Sequence, residues 1–141
     1  MLPFEGSIFY YMSAHLPNSQ YPRIVIIGAG FAGLRLAKKL SNKPFQVVLI
    51  DRNNFHQFQP LFYQVATAGL APSAISFPIR KVFHSANNII FRLASVEYID
   101  TDSKTLQTSV GEIAFDKLVI AVGADTNYFN NSQIEQHALP M

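Results

Sequence analysis

Ten residues near the start of the chain, Ile24-Val25-Ile26-Ile27-Gly28-Ala29-Gly30-Phe31-Ala32-Gly33, set four apolar residues against three glycines in the spacing G-x-G-x-x-G. This is a pattern for holding a ligand rather than for reacting with one. The first glycine permits a sharp turn after a buried strand, the second lets the backbone approach a pyrophosphate, and the third allows close packing of helix on strand. Free amides at the helix N-terminus then carry partial positive charge toward the phosphates. A glycine pattern alone is weak, since glycine-rich strand ends occur without ligands, but its required context is present. Asp51 follows Gly28 by 23 positions, close to the ~20 expected for a carboxylate that accepts hydrogen bonds from an adenosine ribose. Dinucleotide binding is therefore expected, with Gly28, Gly30, Phe31, Ala32 and Gly33 at the pyrophosphate, Asp51 at the ribose and Arg52 near the adenosine. The plainer alternatives are a purely structural turn and a strand-end carboxylate capping a loop; Arg52 could also meet a 2′-phosphate, with a solvated arginine the commoner explanation.

The elements that must position these residues follow from periodicity. Arg23–Ile27 is a short β-branched run between Pro22 and Gly28, the pattern of a strand buried on both faces. Phe31, Leu34, Ala37 and Leu40 then recur at helical spacing, opposite Arg35, Lys38 and Lys39, and Asn42 and Pro44 end the helix. Phe45–Ile50 is a second buried strand closing at Asp51, so strand, turn, helix and strand form a right-handed parallel crossover. Phe55–Ala74 is aromatic and Gln-rich, punctuated by Pro60, Gly69 and Pro72. It reads as too apolar for a surface loop, with Phe55, Phe58, Phe62 and Val65 as packing residues. Phe77–Phe83 is expected to be a short helix with Pro78 in its first turn. Strands are expected at Asn88–Leu93 and Ser95–Asp100. A turn over Thr101–Lys104, then Thr105–Ser109 and Glu112–Phe115, continues an antiparallel ribbon, and Leu118–Val122 is a third fully apolar strand ending at Gly123.

Composition excludes several classes. With 141 residues, 49% hydrophobic and 14% charged, the chain can bury one core and is too apolar to be disordered. A formal charge of +2 without a Lys/Arg run argues against nucleic acid. Cysteine is absent, which removes disulfides and thiolate sites, and the four histidines (His15, His56, His84, His137) stand singly, so no metal site is expected. No apolar run reaches the roughly 18 residues of a membrane span, and no signal-peptide order is seen, so the sequence reads as cytosolic. Residues 1–21 read as a disordered extension, with Met12 a plausible start in its own right, and 22–141 as the first part of a dinucleotide-binding domain.

The crossover alone does not separate NAD from FAD. The segment after the meander, "FDKLVIAVGA" with Ala121 and Gly123, resembles the second FAD-contacting motif of two-dinucleotide-domain flavoproteins, except that Val122 stands where Thr is usual. The stretch from Asp51 to Phe83, "DRNNFHQFQPLFYQVATAGLAPSAISFPIRKVF", resembles the signature segment of the type II NADH:quinone oxidoreductases, the single-chain, non-proton-pumping NADH dehydrogenases. It carries the acidic-basic pair Asp51-Arg52, then His-x-Phe-x-Pro-Leu from His56, Val-Ala-Thr from Val65 and Pro-x-Arg from Pro78. "LVIAVGADTNYF" resembles the same family's segment after the meander, so the resemblance covers about residues 22 to 141. The absence of cysteine between residues 56 and 74 disfavours the related disulfide reductases and sulfide:quinone reductases.

The resemblance implies an α/β, Rossmann-like FAD-binding domain, here incomplete, in which a parallel sheet with a crossover helix is joined to an antiparallel β-meander. It implies FAD as cofactor, NADH as substrate and a membrane quinone as acceptor in the respiratory chain. The backbone around Gln59, Pro60 and Leu61 is placed near the isoalloxazine ring, Val96 near adenine, and Ala121 and Gly123 on the flavin side. No acid, base or nucleophile is assigned, and His56 is read as a satisfied structural histidine. The family continues beyond Met141, so the sequence reads as the N-terminal part of such an enzyme, inactive alone, its sheet leaving an edge and an apolar face uncovered. Full-length relatives imply peripheral attachment to the inner face of the cell membrane and allow a homodimer. A stand-alone or remnant dinucleotide-binding module without catalysis is the competing reading.

Overall fold

The computed structural model describes residues 14–124 and 126–138. Its centre is a four-stranded parallel sheet in the order β5-β2-β1-β9, with β1 at Arg23–Ile27, β2 at Gln46–Asp51, β5 at Ile89–Leu93 and β9 at Lys117–Ile120. Helix α1 (Phe31–Leu40) crosses between β1 and β2, which pair in register from Arg23↔Gln46 to Ile27↔Ile50. Strand side chains alternate across the sheet, and the core divides accordingly. Ile24, Ile26, Val47 and Leu49 face one layer with Leu34 and Ala37 of α1, while Val25, Ile27, Val48 and Ile50 face the other with Leu106 and Ile113. The second layer is the antiparallel meander β6 (Val96–Asp100), β7 (Thr105–Thr108) and β8 (Gly111–Ala114). The α/β class, the crossover and the meander match the sequence expectation.

One asparagine closes the crossover behind the helix. Helix ends leave carbonyls without partners. Asn88 Nδ2 lies within hydrogen-bond reach of the carbonyls of Leu40, Lys43 and Phe45, and its Oδ1 accepts from the Asn42 amide. The residue that enters β5 therefore ties the α1–β2 loop to the neighbouring strand.

Four expectations need correction. The strand expected over Leu118–Val122 ends at Ile120. As the outer strand of the sheet it is half-exposed, Ile120 showing 62% of its surface, because the described residues pair it on one side only. Phe77–Phe83 is not one helix. Ser76–Pro78 forms β4, paired antiparallel with β3 (Phe55–Gln57), and the helix α3 is restricted to Ile79–Val82 with an extended Pro78 as its N-cap. The aromatic segment is not a packed core element. Proline and glycine break it into β3, a 3₁₀ turn at Gln59–Leu61, α2 (Phe62–Ala66) and a 3₁₀ turn at Pro72–Ala74. Single turns are too short to bury a face, so Phe55, Phe58 and Tyr63 are exposed and Phe62 and Val65 only half-buried. Lastly, the expected disordered extension is corrected from residue 14 onward. Ala14 is buried in the meander-side core, the Ala14 and His15 carbonyls accept from Arg92, and the Pro17 carbonyl accepts from Gln46 Nε2. Residues 1–13, including the Met12 start, lie outside the described residues.

Candidate functional site

The C-terminal ends of the parallel strands open into a cavity of about 450 Å³, lined by Gly28, Gly30, Phe31 and Ala32 of the glycine turn, by Asp51 and Arg52, by the β3 region and by Ala121–Ala124. Ligands of open parallel sheets bind at this end. A second cavity of about 340 Å³ adjoins it, sharing Gly28, Asp51, Arg52 and Val122 and reaching Ala94, Ser95 and Val96. Asp51 thus stands where two cavities meet.

The three glycines have three different surroundings. Gly28 turns with φ of +100°, in the left-handed region, and a Cβ there would strike the Ala121 backbone. At Gly33 a Cβ would strike the Gly28 carbonyl, so this glycine lets α1 sit against the end of β1. At Gly30 the backbone is extended (φ −72°, ψ −165°) and a Cβ would meet nothing within 4 Å. Among the described residues, no contact demands glycine at 30. The space above it belongs to the cavity.

Gly30 is also the N-cap of α1, so the cap residue has no side chain to bond the helix start, and among the described residues no carboxylate stands in the first turn. The first amides of a helix lack carbonyl partners within it, so this end keeps its donors and its partial positive charge. The Asp51 carboxylate faces the same turn, Oδ2 accepting from the Ala29 amide at 2.7 Å and Oδ1 from the Asn53 amide at 2.8 Å. A carboxylate has about four acceptor positions, which leaves it room to accept from ligand hydroxyls.

Of the residues singled out from the sequence, Gly28, Gly30, Phe31, Ala32, Asp51, Arg52, Gln59, Ala121 and Gly123 line the larger cavity, and Val96 lines the adjoining one. Gly33 lies beneath the turn. Pro60 and Leu61 share the 3₁₀ turn with Gln59 but line neither cavity. Asn53, Phe55, His56 and Gln57 also line the site. Of these, the sequence reads Phe55 as a packing residue and His56 as a structural histidine opening the family signature, while Asn53 and Gln57 carry no signal beyond following Asp51; β3–β4 pairing places Phe55–Gln57. Among the described residues no cluster of His, Cys, Asp or Glu suits a metal ion, and no helix is long and apolar enough to cross a membrane.

Residues 22–139 match the family model for the pyridine nucleotide-disulphide oxidoreductases. A curated relative, the type II NADH:quinone oxidoreductase Ndh of Mycobacterium tuberculosis, is 36% identical over 129 residues, covering 86% of this chain. The chain spans 28% of that relative's length. Among solved structures, NDH2 of Plasmodium falciparum in complex with NADH superposes with a TM-score of 0.78 at 24% identity, covering 84% of this chain and 26% of that one. The sulfide:quinone oxidoreductase of Aquifex aeolicus superposes with a TM-score of 0.73 at 32% identity, covering 81% and 27%. The resemblance read from the Asp51–Phe83 stretch is thus met by relatives bearing that name, while the sulfide:quinone oxidoreductase shares the same architecture. With the family model matched over residues 22–139 of its 141, this chain belongs to the pyridine nucleotide-disulphide oxidoreductases.

Proposed function

We propose that this chain holds FAD for a type II NADH:quinone oxidoreductase activity, in which NADH is oxidised and a membrane quinone reduced. The open space over Gly30 at the start of α1, which no side chain of the cap residue bonds, is the observation that carries this reading. Bound FAD would supply the two-electron carrier between the two substrates. The chain's own part is to bind and orient. Amides from Gly30 to Gly33 donate to the diphosphate, Asp51 accepts from ribose hydroxyls, and Arg52 and Val96 flank the adenosine in the adjoining cavity. Gln59, Ala121 and Gly123 border the flavin side, with Pro60 and Leu61 behind Gln59 in its 3₁₀ turn. The same reading takes in peripheral attachment to the inner face of the cell membrane and a homodimer.

The test is to purify the chain with added FAD, record its absorbance, and follow thermal unfolding with FAD, ADP or NAD. Co-eluting flavin, with FAD and ADP both raising the unfolding midpoint, is the expected result. Protection by NAD but not FAD would overturn it in favour of an NAD-binding domain. Binding of ADP by a colourless chain would overturn it in favour of a non-catalytic module.

A further inference from the structure

Ala29, between the first two glycines, is gripped from both sides by residues that follow β2. Its amide donates to Asp51 Oδ2 at 2.7 Å, and its carbonyl oxygen lies 3.1 Å from His56 Nδ1. A carbonyl oxygen only accepts, so Nδ1 is the donor and carries the proton. The imidazole is buried and held in place. Its edge meets the Phe31 ring (centroids 5.1 Å apart, interplanar angle 88°), Phe77 lies 5.1 Å away, and β3 is anchored by the His56↔Phe77 pairing with β4.

Peptide geometry makes this contact consequential. The Ala29–Gly30 peptide is planar and trans, so the Ala29 C=O and the Gly30 N–H point in opposite directions. Fixing the oxygen on His56 fixes the direction of the Gly30 amide, at the glycine of the turn whose Cβ position, among the described residues, is open to the cavity.

We propose that His56 is a positioning residue, whose Nδ1–H holds the Ala29–Gly30 peptide plane so that the Gly30 amide is presented to the diphosphate before the ligand arrives. The proposal rests on the dinucleotide reading above and adds a residue that acts through the turn. Through it the β3–β4 pair and the glycine turn are coupled, and the ordering cost of binding is reduced in advance.

Two substitutions separate the hydrogen bond from ring packing. His56→Phe keeps an aromatic ring against Phe31 and Phe77 and deletes the donor, whereas His56→Asn keeps a donor at the Nδ1 position and deletes the ring. With FAD and ADP as probes, His56→Phe is expected to bind about fivefold more weakly at unchanged fold, and His56→Asn to stay within about twofold of the parent after correction for folded fraction. In the ligand-free chain, nitrogen-15 spectra should show His56 protonated at Nδ1, and amide exchange at Ala29 and Gly30 should speed up in His56→Phe only. Parent-like binding by His56→Phe, equal losses in both variants, or an Nε2-protonated ring in the parent would each overturn the proposal. If the parent bound neither FAD nor ADP, the dinucleotide reading would fall with its ligand role, while the ring tautomer and amide exchange would still decide whether His56 holds the turn.

Discussion

The glycine turn after β1 and the aromatic segment from Phe55 to Ala74 border the same cavity, and they reach it by opposite means. The turn is held between two buried strands, with Gly28 and Gly33 in contact with backbone on the far side. The aromatic segment is a string of single turns with most of its rings exposed, secured by β3–β4 pairing, by the Phe58 amide on the Ile75 carbonyl, and by His56 on Ala29. In the first region stability and site geometry are the same thing. In the second, side chains line the site with little part in holding the fold, so mutations should affect the two regions differently.

The largest effect is expected at Gly33→Ala. Replacing a helix glycine by alanine ordinarily gains about 1 kcal/mol, but here the new Cβ meets the Gly28 carbonyl. The sign should reverse to a loss of about 3 kcal/mol, measured by denaturant unfolding. A stabilised Gly33→Ala would break the claim that the turn is locked by packing. Gly30→Ala should leave unfolding unchanged, since its backbone is extended and its Cβ position open, yet weaken FAD or ADP by about tenfold or more in a binding titration. Loss of stability without loss of binding would reverse the roles of the two glycines. In the aromatic segment, Tyr63, 64% exposed, should tolerate replacement by alanine within about 0.5 kcal/mol. A larger cost in the same unfolding assay would show the segment to be part of the core.

The smallest effect lies far from the site, at the turn after β6. There the Ser103 backbone amide donates to Asp100 and holds its carboxyl below the ordinary value of 3.8, helped by the Asp102 amide. A lowered pKa in the folded state means that the ionised form supports folding, so its contribution is present above 3.8 and fades as pH falls through the lower folded value. Asp100→Ala should therefore lower the thermal midpoint slightly at neutral pH, and the difference from the parent should close in acid. A gap that stayed constant with pH would assign the effect to the turn backbone instead.

The same contrast explains what could be read in advance. Arg23–Ile27, the α1 helix and Asp51 were legible because local chemistry and burial agree: a β-branched run, a glycine pattern with fixed spacing and a strand-end carboxylate each point to one conformation. The aromatic segment misled because apolar composition implies burial only when an element is long enough to present a face. Pro60, Gly69 and Pro72 prevent that. Likewise, nothing local told β9 that it would be an outer strand, since Lys117–Ile120 is as apolar in pattern as strands that are covered on both sides.

By itself, then, the sequence determined the crossover, the position of the glycine turn and the acidic residue facing it, because short-range spacing dictates those conformations. Only the tertiary structure decided that β5 joins β2, β9 joins β1 and β3 pairs with β4, that residues 14–17 are tied to the sheet, and that His56 reaches Ala29. Those contacts join residues far apart along the chain, and the free energy that selects them appears only when whole layers pack together.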